Sequence, residues 1–170
     1  MKEGKLIIFF TIFGIISIPI RQQLTQENIK KERSFDTSRY VKTIAPACIE
    51  MFMSIEKNAK QYGIPMRYAL GIAYAETRYN GPFHWEYNPE QQSGAGALGP
   101  MQIMPSTANL MWKEKVSKDK LLTDIDFNVE TSMKLLSVLH LKYKDWKVVF
   151  GAYNTGHPIV NEYAERVYNF

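Results

Sequence analysis

The sequence predicts an all-α domain preceded by an apolar N-terminal helix. After residue 41, apolar residues recur at helical spacing in several segments, and proline or glycine marks the ends of most of them. There is no sustained alternation of apolar and polar residues and no internal repeat. With 170 residues and 45% hydrophobic content, the chain can bury one core, which indicates a single folded domain.

The N-terminal region is predicted to direct the chain to the cell envelope. Lys2 and Lys5 precede an apolar run over 6–20, which has the length of a signal-peptide core and is short for a membrane span. No small-x-small cleavage pattern follows, so a cleaved signal and an uncleaved membrane anchor at residues 1–20 both remain open. Residues 21–40 are polar and predict a linker, which leaves 41–170 as the folded domain. We therefore expect an exported protein in the periplasm or envelope, held at the inner membrane if the run is not cleaved.

The helices of this domain are predicted from apolar spacing and end signals. They run over 41–62, 65–75, 105–113, 124–143, 145–153 and 158–168. Gly63 ends the first helix, while Pro65 and Pro105 open the second and third at positions where proline is tolerated.

Three finer predictions concern the connections. Residues 114–120 are charged and predict a surface loop, and the 80–98 loop has room for a short hairpin. Either Asp124 or Asp126 is expected to cap the following helix. His140 lies in the apolar stripe of that helix, which predicts a structural rather than a catalytic histidine.

Charge, cysteine and histidine content exclude several classes of function. The net charge of +4 is not concentrated enough to predict a nucleic-acid partner, although it would attract acidic cell-surface polymers. Cys48 is the one cysteine, so an intramolecular disulfide is impossible. His84, His140 and His157 lack metal-type spacing, so no metal site is predicted.

Glu76 is the candidate catalytic residue because it ends an apolar helix. Leu70, Ile72 and Ala73 precede it, and a carboxyl near a buried element has a raised pKa unless it is paired. A raised pKa is what a general acid needs near neutral pH. From local sequence alone, the alternative that Glu76 frays into solvent stays open.

The loop after this helix contains two further acids, Glu86 and Glu90, which are candidates for the second carboxyl that many glycosidases require. Aromatic residues flank these acids and are suited either to stacking on sugars or to holding the loop together. They are Tyr79, Phe83, Trp85 and Tyr87.

Two other kinds of active site are not supported. Ser93, His157 and Asp145 offer the residue types of a catalytic triad, but nothing in the local sequence arranges them. The glycines of the loop follow no predicted strand and lack the Lys-Ser/Thr ending of a phosphate-binding loop.

Four motifs occur in order along the domain. They are Ala-Glu-Thr at 75–77, Gly-Ala-Leu-Gly-Pro-Met-Gln-Ile-Met-Pro-Ser-Thr-Ala at 96–108, Ala-Tyr-Asn-Thr-Gly at 152–156 and Tyr-Ala-Glu-Arg-Val at 163–167. Together they resemble the lytic transglycosylase domain of glycoside hydrolase family 23, which is related in fold to goose-type lysozyme. The resemblance spans Ile55 to the C-terminus. It implies a lysozyme-like helical domain with a long substrate-groove loop.

The resemblance implies that Glu76 is the single acid/base and that no cofactor is needed. It implies cleavage of the β-1,4 bond between N-acetylmuramic acid and N-acetylglucosamine in peptidoglycan glycan strands, without water, giving a 1,6-anhydro end. It assigns six further residues to substrate binding, the last of them near Glu76. They are Thr77, Met101, Gln102, Tyr153, Asn154 and Tyr163.

The sequence departs from the family pattern at Thr77, where serine is usual, at Pro100, where leucine or tyrosine is usual, and in the length of two connections. Between Glu76 and Gln102 the chain is longer than the usual pattern, so loop contacts cannot be carried over. Tyr163 follows Asn154 without the usual intervening segment. This short ending resembles the small specialised transglycosylases of conjugation and secretion systems, which implies such a complex as a partner.

Two alternatives to the transglycosylase remain open. The first is a lysozyme-type hydrolase that uses Glu76 together with Glu86 or Glu90. The second belongs to another class, a non-catalytic module that binds the cell wall for a secretion complex.

Overall fold

The computed structural model describes residues 45–170, which form seven helices and no β-strand, so the all-α prediction is confirmed for this part of the chain. The helices are α1 (Ala47–Tyr62), α2 (Met66–Thr77), α3 (Pro105–Trp112), α4 (Lys118–Thr123), α5 (Ile125–Tyr143), α6 (Trp146–Thr155) and α7 (Glu162–Tyr168). None of these helices is long and apolar enough to cross a membrane. The predicted signal or anchor at 1–20, the linker at 21–40 and the first residues of the first predicted helix lie outside the described residues.

Helix α5 is the centre of the fold because α1, α3, α4 and α6 all pack against it. Its apolar stripe is fully buried at Val129, Met133 and Leu136. The short helix α7 packs on both α6 and α2. This arrangement brings residues from the C-terminal end of the chain against the helix that carries Glu76.

Asp124 is the residue that caps α5, since its Oδ1 accepts the backbone N–H of Phe127 at 3.0 Å. The other candidate, Asp126, has a different partner. It accepts hydrogen bonds from Lys57 at 2.6 Å and from Asn58 at 3.0 Å, and so ties α5 to α1. His140 stacks on Trp146 with ring centroids 4.1 Å apart, which is a structural contact of the kind predicted.

The structure corrects the prediction that 114–120 is entirely a surface loop. Residues from Lys118 onward form α4, which begins where the Ser117 hydroxyl accepts the N–H of Lys120 at 3.1 Å. The helix has six residues and only Leu121 among them is fully buried, so it is too short to show an apolar period in the sequence. Packing of α4 on α5 through this side chain therefore stabilises a helix in a segment whose many charged residues predicted a loop.

The structure also corrects the start of the last helix, which is predicted at Pro158 and begins at Glu162. Residues 157–161 are not helical and pass over α6. There a Cβ added at Gly151 would lie 1.5 Å from the carbonyl oxygen of Ile159. Asn161 ends this segment and caps α7 by accepting the N–H of Ala164 at 2.9 Å.

Candidate active site

Glu76 lies in the last turn of α2, with its side chain partly buried between this helix and α7. The hydroxyl of Tyr163, a buried residue of α7, donates a hydrogen bond of 2.6 Å to Oε1 of Glu76. The bond joins residues 87 positions apart in sequence. The alternative that Glu76 frays into solvent is therefore excluded by its position.

Burial raises the pKa of the Glu76 carboxyl above its ordinary value, because desolvation disfavours the charged form. The hydrogen bond from Tyr163 acts in the opposite direction, since it favours the carboxylate. Burial also raises the pKa of Tyr163 well above its ordinary value, and the nearby carboxylate adds to this effect. Tyr163 thus remains a neutral donor while Glu76 can hold or release a proton.

We expect Tyr163→Phe to lower the kcat/KM of this site about tenfold, because one hydrogen bond to a charged group is lost. The substitution also removes the bond that favours the Glu76 carboxylate, so the pKa of Glu76 rises further. The fall of activity that accompanies ionisation of this acid should therefore move to higher pH. Rates measured from acidic to alkaline pH test this expectation.

Tyr168→Phe is the matched control, since Tyr168 belongs to the same helix and its ring stacks on Tyr68. Its pH profile should equal that of the unsubstituted protein. A lower rate for Tyr163→Phe with an unchanged pH dependence would show that Tyr163 has a purely structural role.

Thr77 and Tyr87 tie the long loop to the end of α2, next to Glu76. The Thr77 hydroxyl donates to the carbonyl oxygen of Pro100 at 2.8 Å and accepts from the hydroxyl of Tyr87 at 2.8 Å. Burial raises the pKa of Tyr87 to about 12, so this hydroxyl keeps its proton over the physiological range. The Tyr87 ring packs edge-on against Tyr79, with centroids 4.9 Å apart.

Gln102 is held in an unusual backbone conformation with φ 50°, in the left-handed region. Its amide Nε2 donates to the carbonyl oxygens of Gln91 at 3.1 Å and Gly99 at 2.9 Å. Both amide hydrogens are therefore used within the loop. The side-chain oxygen remains as the acceptor that Gln102 can offer to a ligand.

Asn128, a fully buried residue of α5, fixes the backbone of the same loop. Its Nδ2 donates to the carbonyl oxygens of Leu98 at 2.9 Å and Leu121 at 2.8 Å. Its Oδ1 accepts the N–H of Met101 at 2.9 Å. Gly99 makes this approach possible, because a Cβ there would lie 2.4 Å from Asn128 Nδ2 and the backbone has φ +75°.

Tyr153 supports the loop from α6. Its hydroxyl donates to the carbonyl oxygen of Met101 at 2.7 Å and lies 2.9 Å from the hydroxyl of Ser132. Asn154 is exposed, and its Oδ1 accepts from Asn161 at 3.1 Å. Burial raises the pKa of Tyr153 and the charge of Glu76 adds to this rise, so Tyr153 lies near the acid as well as against the loop backbone. Asn154 faces solvent where α6 approaches the segment leading to α7.

Five of the predicted site residues fall into two groups by exposure in the structure. Glu76 and Gln102 are partly exposed and Asn154 is exposed, so each presents polar atoms to a ligand. Thr77 is 4% exposed and Met101 is fully buried, so neither side chain lies at the surface of this structure. Both residues anchor the loop: the Thr77 hydroxyl bonds to the Pro100 carbonyl oxygen, and the Met101 backbone bonds to Asn128 and Tyr153.

Among the described residues, neither the candidate second carboxyls nor the three residues of the possible triad form a hydrogen bond with Glu76. Glu86 and Glu90 are exposed loop residues. Ser93 accepts the N–H of Ala97, and Asp145 caps α6, while His157 is exposed. Within residues 45–170, no group of three or more histidine, cysteine or acidic residues is arranged to hold a metal ion.

Sequence reasoning missed Asn128, Ser132 and Gly151. The signal for the first two was their polar character at positions of the apolar stripe of α5, where a buried polar group needs a partner. Gly151 was detectable as a glycine inside a helical pattern, which indicates a close backbone approach when it is retained despite its low helix propensity.

Comparison with known proteins identifies the family to which this chain is similar. The family model described as "Transglycosylase SLT domain" matches residues 53–170. An inactive glutamate-to-glutamine mutant of the lytic transglycosylase Slt from Pseudomonas aeruginosa is 26% identical, with a TM-score of 0.51. The 70 kDa soluble lytic transglycosylase SLT70 from Escherichia coli is 26% identical, with a TM-score of 0.53.

These similarities concern one part of much larger proteins. The matches cover 61% and 68% of this chain but 16% and 18% of the Pseudomonas and Escherichia chains. The family model, in contrast, covers well over half of this chain and includes the whole site from Glu76 to Tyr163. The chain therefore belongs to the transglycosylase SLT domain family.

Proposed function

We propose that this protein is a peptidoglycan lytic transglycosylase in which Glu76 is the sole acid/base. The observation that carries the proposal is the partly buried Glu76 carboxyl, with its raised pKa and its hydrogen bond from Tyr163. Family membership and the two lytic transglycosylases of similar structure support the same activity. In the Pseudomonas relative, the inactive form replaces a glutamate by glutamine.

The reaction requires two proton transfers, and one carboxyl serves both. Protonated Glu76 gives its proton to the glycosidic oxygen as the C1–O bond of N-acetylmuramic acid breaks, and N-acetylglucosamine leaves as the alcohol. The Glu76 carboxylate then takes the proton of the muramyl 6-hydroxyl while that oxygen bonds to C1. The 1,6-anhydro ring is closed, the carboxyl is protonated again, and no water is consumed.

The remaining groups position the glycan. Tyr163 orients the carboxyl and limits the rise of its pKa, while the Gln102 side-chain oxygen and Asn154 are available for hydroxyl or acetamido groups of the sugar. The charge that develops at C1 can be carried by the acetamido group of the substrate. A second protein carboxylate is therefore not required, in contrast to most glycosidases.

The products distinguish this function from hydrolysis. Purified peptidoglycan digested in water enriched in heavy oxygen should yield soluble muropeptides with 1,6-anhydro ends and no heavy-oxygen incorporation, as measured by mass spectrometry. A hydrolase that uses Glu86 or Glu90 as a base would incorporate the heavy oxygen at a reducing end. Binding to sacculi without any soluble product would instead favour the non-catalytic wall-binding module.

The site of action is part of the proposal. The apolar run at 6–20 and the polar stretch after it support export to the cell envelope, where peptidoglycan is accessible. The short interval between Asn154 and Tyr163 supports a specialised enzyme that opens the wall for a conjugation or secretion complex.

A further inference from the structure

Two large aromatic side chains are exposed at one place in the loop that follows Glu76. Phe83 is 79% exposed and Trp85 is 63% exposed. Their ring centroids are 6.3 Å apart, and the rings are inclined by 62°. We call these two residues the aromatic pair.

The backbone that carries the aromatic pair is ordered by its own hydrogen bonds. The N–H of His84 donates to the carbonyl oxygen of Gly81 at 3.2 Å, and the N–H of Trp85 donates to that of Phe83 at 3.0 Å. The N–H of Tyr87 donates to the carbonyl oxygen of His84 at 2.9 Å, and the ring centroids of His84 and Tyr87 lie 5.5 Å apart. The backbone positions that carry both rings are therefore ordered, which reduces the backbone entropy lost when a ligand stacks on the rings.

The aromatic pair is linked to the catalytic end of α2 by a short path. Successive Cα atoms are about 3.8 Å apart, so the Cα atom of Trp85 lies within about 7.6 Å of that of Tyr87. The Tyr87 hydroxyl is 2.8 Å from the hydroxyl of Thr77, which follows Glu76 directly. This path keeps the aromatic pair within the length of a few sugar units of Glu76.

The loop's structure favours a functional reason for this exposure. Packing does not require the two rings, and Nδ1 of His84 is buried without a hydrogen-bond partner among the described residues. Loops that retain such unfavourable features commonly carry binding residues. The segment 79–92 contains Glu86 and Glu90 but no lysine or arginine, which disfavours an anionic membrane surface as the occupant.

We propose that the aromatic pair is a subsite for the glycan strand, on which a sugar unit beyond those flanking the cleaved bond stacks through its apolar face. This inference rests on the proposed function, because it takes peptidoglycan as the substrate. The subsite would make the enzyme select long strands over short oligosaccharides, since only a long strand reaches both Glu76 and the pair.

Binding to a catalytically inactive background tests the subsite directly. In Glu76→Gln protein, the further change Phe83→Ala/Trp85→Ala should weaken the binding of purified, peptide-free glycan strands about tenfold, as measured by calorimetry. Binding of a short chitooligosaccharide should be unchanged. Trp85→Phe, which keeps an aromatic ring, should retain most of the affinity for long strands.

Leu141→Ala in the same background is the matched control, because Leu141 is an exposed apolar residue of α5 that lies outside this loop. Long-strand binding by the double variant equal to that of this control would overturn the inference and leave the pair to a protein partner. Equal losses for long strands and the short oligosaccharide would also overturn it, because they would indicate damage to the central site.

In active protein, Phe83→Ala/Trp85→Ala should lower kcat/KM about tenfold for long strands and leave it unchanged for a short substrate. Failure of the proposed function has a different signature. In that case the unsubstituted protein releases no anhydro products, whether or not the aromatic pair contributes to binding.

Discussion

Replacing Glu76 by glutamine (Glu76→Gln) is expected to lower the release of anhydromuropeptides from purified peptidoglycan by about 10³-fold or more. The amide has nearly the shape of the carboxyl and still offers an oxygen to the Tyr163 hydroxyl. It has no acidic proton for the leaving oxygen and no basic site for the muramyl hydroxyl, so both steps are lost together. Chromatography of the soluble products with mass spectrometry measures the effect.

Stability provides an independent check on the same variant. Because burial raises the folded pKa of Glu76, the stability contributed by this group is present below its ordinary pKa and lost as pH rises through the folded pKa. Glu76→Gln should therefore have a Tm a few degrees above that of the unsubstituted protein near about pH 8, and the difference should narrow toward about pH 4. An inactive protein with a lower Tm at both values would indicate misfolding instead.

Glu86→Gln and Glu90→Gln are the matched controls, since both carboxyls belong to the same loop and are exposed. Each should stay within about twofold of the unsubstituted rate, because surface substitutions have small effects. Loss of activity in either variant, together with reducing-end products from the unsubstituted protein, would replace the single-carboxyl mechanism with that of the hydrolase.

The second large effect is expected for Gly151→Ala. Inside a helix, alanine is ordinarily favoured over glycine by about 1 kcal/mol. Here the added Cβ would meet the carbonyl oxygen of Ile159 at 1.5 Å and its carbon at 2.8 Å, so backbone must move. We expect the free energy of unfolding to fall by about 2 to 4 kcal/mol, as measured by urea denaturation.

Activity should fall with it, because the displaced segment carries Asn161, the cap of α7, and leads directly to Tyr163. Gly94→Ala is the matched control: no atom lies within 4 Å of an added Cβ there, and the backbone does not have a positive φ. A Gly151→Ala protein as stable and active as this control would show that residues 157–161 can shift without consequence for the site.

Most of the helical architecture was predictable from local signals. The bounds of α3 and α5 follow from Pro105, from the Asp124 cap and from the apolar stripe between Val129 and Leu136. The secondary-structure predictions that were wrong concern two short segments. The six residues of α4 include one buried leucine, and 157–161 departs from helix because it crosses α6 at Gly151. Helical periodicity predicts neither contact.

The candidate site shows the same division. Local sequence identifies Glu76 as an acid after an apolar helix, and resemblance to the family adds the residues predicted to surround it. Neither distinguishes a side chain that faces the ligand from one that holds the backbone behind it. Thr77 and Met101 were grouped with Gln102 for this reason, although the first two are buried and the third is not.

The sequence by itself determined the fold class, a candidate acid and the loop that follows it, because these depend on periodicity, end signals and residue type within a few positions. Only the tertiary structure decided the state of that acid. The raised pKa of Glu76 arises from desolvation by surrounding elements, and its orientation comes from Tyr163, 87 residues away. Burial and hydrogen bonding at such separations are properties of the packed chain, and they turn an ordinary glutamate into a group able to give and take one proton.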